Sequence, residues 1–130
     1  MQSKFLYYLE PYILKNIQSF NPTQVARITS AFFMLKQGSI EFIQQMMSVS
    51  ALVSHSIENK ALLELIRQTK TVKEFNREVR ILLEYGVIPS VDSLHPRDIY
   101  EISIALFAHQ IGKQIYYDLL ATEFARKQHK

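Results

Sequence analysis

The sequence predicts an all-α chain: a right-handed α-solenoid of about seven antiparallel helices, forming roughly three helical-hairpin repeats of about 37 residues. Three observations lead there. The stretch Asn21 to Gly38 returns as His95 to Gly112, with Pro22/Pro96, Ile28/Ile102, Ala31/Ala105, Phe33/Phe107 and Gly38/Gly112 identical and Val25/Ile99, Thr29/Ser103 and Phe32/Leu106 conservatively paired. That offset is 74 residues, two periods of 37, and a diverged copy begins near Glu58, where Leu62 and Leu65 take the places of Val25/Ile99 and Ile28/Ile102. Apolar residues recur at helical spacing along the chain, and no stretch alternates as a strand would.

Residues 3 to 19 place Phe5, Leu6, Leu9, Ile13, Leu14 and Ile17 on one stripe, with Pro11 predicting a kink or a late start. This segment reads as an orphan second helix, without the first helix of its repeat. Repeat 1 spans 21 to 53. Asn21 is a favourable N-cap, Pro22 suits the first helical position and Gln24 completes a capping box. Val25, Ile28, Ala31, Phe32 and Leu35 line the buried face up to Gly38, the expected left-handed glycine after the helix. A second helix over about 40 to 53 buries Phe42, Ile43, Met46 and Met47, and residues 54 to 57 turn.

The diverged repeat 2 spans 58 to 86. A helix over 58 to 69 uses Leu62, Leu65 and Ile66; Thr71 then caps a helix from 72 to Tyr85 with Phe75, Val79, Leu82 and Leu83 inward, ended by Gly86. Residues 87 to 94, bracketed by Pro89 and Pro96, read as the longest loop. Repeat 3 spans 95 to 128: a helix over 96 to 110 with Ile99, Ile102, Ala105, Leu106 and His109 inward, a break at Gly112, and a helix over 113 to 128 burying Ile115, Tyr116, Leu119, Leu120 and Phe124. Phe5, Phe42 and Val79 stand 37 apart, as do Leu9, Met46 and Leu83, so each set continues one buried column. The small Ala31 and Ala105 let paired helices approach closely.

At 130 residues, 48% of them apolar and with only three glycines and four prolines, the chain reads as a single domain over 1-130. The absence of cysteine excludes disulfides and thiolate metal sites. No run of eighteen apolar residues exists to span a membrane, and Lys4, Glu10 and Pro11 interrupt the apolar start that a signal peptide needs. The net charge of +3 is mild, and the tail Arg126-Lys127-Gln128-His129-Lys130 supplies a good part of it.

A proline near the first-helix N-terminus, apolar pairs, a small residue near the middle, a break at glycine and a leucine-rich second helix resemble heptatricopeptide and octotricopeptide repeats, relatives in shape of the pentatricopeptide repeat. The match is best in Asn21 to Val53 and His95 to Lys127, moderate in Lys4 to Phe20 and poor in Glu58 to Tyr85, where Gln68 replaces the alanine. The resemblance implies a mitochondrial protein, acting on RNA or built into a mitochondrial ribosome or a respiratory assembly.

Two sets of residues are candidates for contact. Lys70, Lys73, Arg77 and Arg80 fall on one side of the helix 72 to 85, opposite Phe75, Val79 and Leu82, and Lys60 and Arg67 precede them on the neighbouring helix. Together they form a candidate surface for RNA phosphates, against which Glu74, Glu78 and Glu84 offset much of the charge to leave an ordinary solvated face. At the N-terminus, Phe5, Tyr8, Tyr12 and Ile13 are too apolar for the polar cap of a solenoid end and point to a partner chain, another copy of this protein, or a sequence that begins late. In the pairs Tyr7-Tyr8 and Tyr116-Tyr117, one ring should pack and the other reach the edge, since adjacent helical positions diverge by about 100 degrees. The histidines His55, His95, His109 and His129 lack ligand spacing, so no metal or cofactor is expected. Without a glycine-rich phosphate loop or a nucleophile elbow, neither an enzymatic reaction nor a small-molecule substrate is expected. The expectation is a non-catalytic helical-repeat subunit of a large mitochondrial assembly, a mitoribosome or similar ribonucleoprotein, held by neighbouring protein subunits, with rRNA or other organellar RNA as a candidate second partner. The alternatives are a protein-binding accessory subunit of a respiratory or ATP synthase complex and a small free RNA-binding repeat protein.

Overall fold

The computed structural model of the chain describes residues 4–70 and 72–128. Among the described residues there are seven α-helices and no strand. They are α1 (Lys4–Lys15), α2 (Pro22–Met34), α3 (Ile40–Leu52), α4 (Asn59–Thr69), α5 (Asn76–Leu82), α6 (Pro96–Ala108) and α7 (Gln114–Gln128). The starts of α2, α4 and α6, at Pro22, Asn59 and Pro96, keep the 37-residue spacing of the sequence.

The helix starts follow from local chemistry. Asn21 Oδ1 accepts from the Gln24 N–H at 2.8 Å while Gln24 Oε1 accepts from the Asn21 N–H at 2.9 Å, the reciprocal capping box expected there. The His95 ring Nδ1 accepts from the Arg97 N–H at the start of α6, again ahead of a proline. At the start of α3, Ser39 Oγ accepts from the Phe42 N–H, and Glu10 of α1 reaches over to bind the Ser39 N–H and hydroxyl at 3.1 and 2.8 Å. The α1 helix runs through Pro11 without a break.

The helix ends correct one expectation. The left-handed residue after α2 is Lys36 (φ 54), not Gly38, because the Gln37 N–H returns to the Phe32 carbonyl and the Lys36 N–H to the Phe33 carbonyl, closing a Schellman turn. The same closure follows α6, with Gln110 (φ 56) left-handed, the Ile111 N–H on Leu106 and the Gln110 N–H on Phe107. Gly38 (φ 102) and Gly112 (φ 93) lie two residues further on and redirect the chain into the next helix. The repeat therefore extends to individual backbone hydrogen bonds.

The α2 helix packs against α3 and α4, α4 against α5 and α6, α3 against α5, and α6 against α7. The core includes columns at the 37-residue spacing. Val25, Leu62 and Ile99 are buried together, as are Phe32, Thr69 and Leu106, and Met46, Leu83 and Leu120. Each large apolar member contributes about 1.5–3 kcal/mol on burial. Thr69, the polar member, donates its hydroxyl to the Leu65 carbonyl at 2.8 Å, which satisfies it inside the core. Phe42 and Val79 are buried as expected, but Phe5, the third member of their column, is exposed, and Leu9 is only half-buried beside Met46 and Leu83.

The middle unit departs from its sequence reading. A 3₁₀ turn at Lys73–Phe75 leads into α5, and Thr71, the expected cap, lies outside the described residues. Gly86 does not end the helix: a π turn at Leu83–Val87 carries through it, and a 3₁₀ segment over Ile88–Ser93 replaces the expected loop. A Cβ on Gly86 would lie 2.7 Å from Leu62 Cδ2 and 3.2 Å from the Ser54 carbonyl, so this glycine serves close packing against α4. The 3₁₀ segment is held from outside: Asn59 Nδ2 donates to Ser93 Oγ at 3.0 Å, Ser90 Oγ donates to the Gly86 carbonyl at 2.9 Å, and Lys127 Nζ donates to the Val91 and Leu94 carbonyls.

Two further expectations for repeat 3 are corrected. His109 is exposed at the C-cap of α6 rather than inward. The α7 helix buries Tyr117 and Leu120, whereas Ile115 and Leu119 are exposed and Tyr116 and Phe124 half-buried. The buried stripe is turned by about one residue because the Tyr117 hydroxyl donates to the Ile111 carbonyl, which anchors that ring at the α6–α7 turn.

Candidate functional site

The basic residues divide into engaged and free groups. Arg67 is bound: its guanidinium pairs with Asp98 at 3.0 Å and Glu101 at 3.3 Å on α6 and with Glu64 at 3.6 Å on its own helix. Lys70 is half-buried at the end of α4, and its Nζ donates to the Arg67 carbonyl at 2.9 Å. Lys73 stands on the 3₁₀ turn, and Arg77 and Arg80 lie one turn apart on α5; all three are exposed and without an ion pair among the described residues. Lys60 is exposed at the start of α4. Beside Arg77, Glu78 keeps one carboxylate oxygen buried without a hydrogen-bond partner among the described residues, which tempers the positive field of that face. The tail is likewise less free than its composition suggests: Arg126 pairs with Glu123 at 2.7 Å, which raises its already high pKa, and Lys127 is held by the Val91 and Leu94 carbonyls. His129 and Lys130 lie outside the described residues.

At the N-terminal end, Phe5, Tyr8 and Tyr12 are 69%, 71% and 62% exposed. Ile13, expected beside them, is 4% exposed and belongs to the core, because it lies on the side of α1 that faces the other helices. Tyr7 and Tyr8 are both exposed and meet edge to face at 5.6 Å, so neither ring packs inward. The second tyrosine pair divides between core and edge, but Tyr117 is the inner ring and Tyr116, expected to be buried, is half-buried. Burial pushes the Tyr117 phenol up to about 12.

Sequence reasoning missed a second apolar face. On α6, Tyr100, Ile104 and Phe107 form an exposed apolar stripe, one residue per turn. Tyr100 meets Phe124 of α7 at 5.9 Å and Phe107 meets Tyr117 at 5.5 Å, so the stripe opens onto the α6–α7 groove. The signal was present in the repeat: the residues 74 earlier, Ala26, Ser30 and Phe33, lie on α2, which packs against α4, and are buried or half-buried. Among the described residues, no group of three or more histidines and carboxylates is placed to hold a metal ion, and no helix is long and apolar enough to cross a membrane. Compared with known proteins, the chain matches no family, no curated protein and no solved structure.

Proposed function

We propose that the seven helices form a right-handed α-solenoid of three 37-residue hairpins preceded by a lone second helix, and that this solenoid is a non-catalytic structural subunit of a larger assembly. The observation that carries the reading is the pair of apolar ends. Phe5, Tyr8 and Tyr12 are exposed at one end and Tyr100, Ile104 and Phe107 at the other, while the residues at the repeat positions of Phe5 (Phe42 and Val79) and of Tyr100 (Ala26 and Leu63) are buried. Apolar terminal faces of a repeat array mark contacts with neighbouring chains. The resemblance to organellar helical repeats supplies the compartment and the class of assembly: a mitochondrial ribonucleoprotein, foremost the mitoribosome. RNA contact falls to Lys73, Arg77, Arg80 and Lys60, which are exposed, and not to Arg67, whose charge α6 neutralises.

A second reading, an accessory subunit of a respiratory or ATP synthase complex with no RNA contact, is favoured by that neutralisation. Affinity capture of the tagged protein from its own cells, at low and high salt and with and without ribonuclease, separates the two. Recovery of ribosomal proteins with rRNA is expected. Recovery of respiratory or ATP synthase subunits unaffected by ribonuclease would replace the first reading with the second, and a free monomer in every condition would sink both.

A further inference from the structure

Where α5 packs against α3, the two helices enclose a hollow of about 250 Å³, lined by Ser48, Ala51 and Leu52 on α3 and by Arg77, Glu78 and Ile81 on α5. Each trio spans one turn of a single helix face. The volume falls below the roughly 300–1,000 Å³ of sites for drug-sized molecules, so the hollow suits one small ring system. Glu78 is its unusual member. The side chain is half-buried, and Oε2 is closed to solvent and accepts no hydrogen bond among the described residues. Arg77 stands beside it, exposed, yet the two form no ion pair with each other or with another described residue. A carboxylate oxygen cut off from water costs free energy until a donor reaches it. Its terminal torsion is soft, so the group can swing toward a donor that enters the hollow.

We propose that this hollow reads a single guanine in an unpaired stretch of RNA, with Glu78 accepting from the Watson–Crick edge of the base. The ionised carboxylate offers only acceptors, two oxygens side by side. Guanine answers them with two adjacent donors, the ring N1–H and the exocyclic amino group. Adenine and cytosine set one amino donor beside an accepting ring nitrogen, and uracil has a lone N–H between two carbonyls. Leu52 from one helix and Ile81 from the other give apolar surface to the faces of the ring. The charge around the hollow favours a donor edge carried on an anionic chain over a partner's lysine or arginine. Lys73, Arg77 and Arg80 are exposed and unpaired among the described residues, and they outnumber Glu74 and Glu84, the other carboxylates of this unit. Lys73 and Arg80 can follow the phosphates on either side of the bound base, and the exposed Tyr85, four residues beyond Ile81, offers a ring to its neighbour.

The inference rests on the reading of this basic face as an RNA contact, and the two fail differently. Fluorescence anisotropy of the full-length chain with a short labelled oligouridine, bearing one central guanosine, inosine or adenosine or left unchanged, tests both. The guanosine strand should bind about tenfold more tightly than plain oligouridine. Inosine, which lacks the exocyclic amino group, should lose most of that gain. Glu78→Gln should erase the preference without weakening the binding of oligouridine, whereas Arg80→Ala should weaken every strand alike and lower the salt dependence by about one phosphate contact. Both variants should keep the parent's melting curve. Equal binding of all four strands, or a guanosine preference that survives Glu78→Gln, would overturn the base pocket and leave the RNA contact standing. No binding of any strand at low salt would remove the RNA contact and the pocket together. Capture of an arginine-rich peptide in place of RNA, lost in Glu78→Gln, would overturn the proposal by giving the hollow to a cationic side chain.

Discussion

The outer hairpins and the middle one solve the same problem with different chemistry. After α2 and after α6, a Schellman turn and a glycine of positive φ redirect the chain. At the corresponding place in the middle unit stands Phe75, which cannot adopt that conformation cheaply; a 3₁₀ turn replaces the glycine, and the ring fills the space, meeting Phe33 edge to face at 5.7 Å. The middle unit uses its own glycine, Gly86, on the second helix, where it admits Leu62. The 37-residue spacing thus survives the loss of its turn signature, because the columns through Val25/Leu62/Ile99 and Met46/Leu83/Leu120 hold the register. In this molecule the buried columns keep the 37-residue spacing more firmly than the turns do.

Substitutions that exchange the two solutions test this contrast. Phe75→Ala removes the middle unit's filler and should destabilise the chain by about 3 kcal/mol, read as a shift in the denaturant midpoint; a loss below about 1 kcal/mol would mean that the ring is incidental to the turn. Gly86→Ala forces a methyl against Leu62 and the Ser54 carbonyl and should cost about 2 kcal/mol despite the better helix propensity of alanine. Gly112→Ala and Gly38→Ala each strain a positive φ, at about 1–2 kcal/mol. The effect at Gly112 should be the larger by a few tenths, because its Cβ would also meet Leu83 Cδ2 at 2.7 Å, against 3.1 Å or more at Gly38.

The outer hairpins also differ from each other at one core position, where Ile43 corresponds to Tyr117. Burial raises the Tyr117 phenol to about 12 from the usual 10. The folded chain therefore keeps a proton that the unfolded chain releases between those values, so the stabilisation is complete below pH 10 and declines as pH rises toward 12. Alkaline unfolding should show a loss of roughly 1–2 kcal/mol across that window, and Tyr117→Phe should abolish this pH dependence while leaving the Ile111 carbonyl without its donor, at about 1 kcal/mol. The smallest effects belong to the Schellman residues: Lys36→Gly and Gln110→Gly should each stabilise by about 0.5–1 kcal/mol, since both residues are left-handed.

What the sequence made legible was short in range. Asn21, Pro22 and Gln24 form a cap whose partners lie within three residues, and it folds as read. Gly38 stood out as a special glycine, but one-dimensional spacing did not separate the left-handed cap from the redirecting residue two places later. Gly86 reads as a helix stop because a glycine needed for φ and a glycine needed for close approach look alike until Leu62 is in place. Residues 87 to 94 read as a loop because the groups that order them, Asn59 and Lys127, are more than thirty residues away in either direction. The same distance hid the fate of Arg67, whose carboxylate partners on α6 sit 31 and 34 residues downstream. Phe5, Tyr8 and Tyr12 were legible as an exposed end, whereas Tyr100, Ile104 and Phe107 carry the spacing of a core stripe and differ from one only in having nothing packed over them.

Glu10 gives the N-terminal helix a second significance. Its carboxylate holds the Ser39 amide proton, so α1 and the start of α3 form one latch that opens when α1 lifts away. The exchange of that single proton with deuterium is consequently a clock for the attachment of α1. A protein bound over Phe5, Tyr8 and Tyr12 should slow that clock without touching Ser39, so occupancy of the first helix can be read at a serine 29 residues further along the chain.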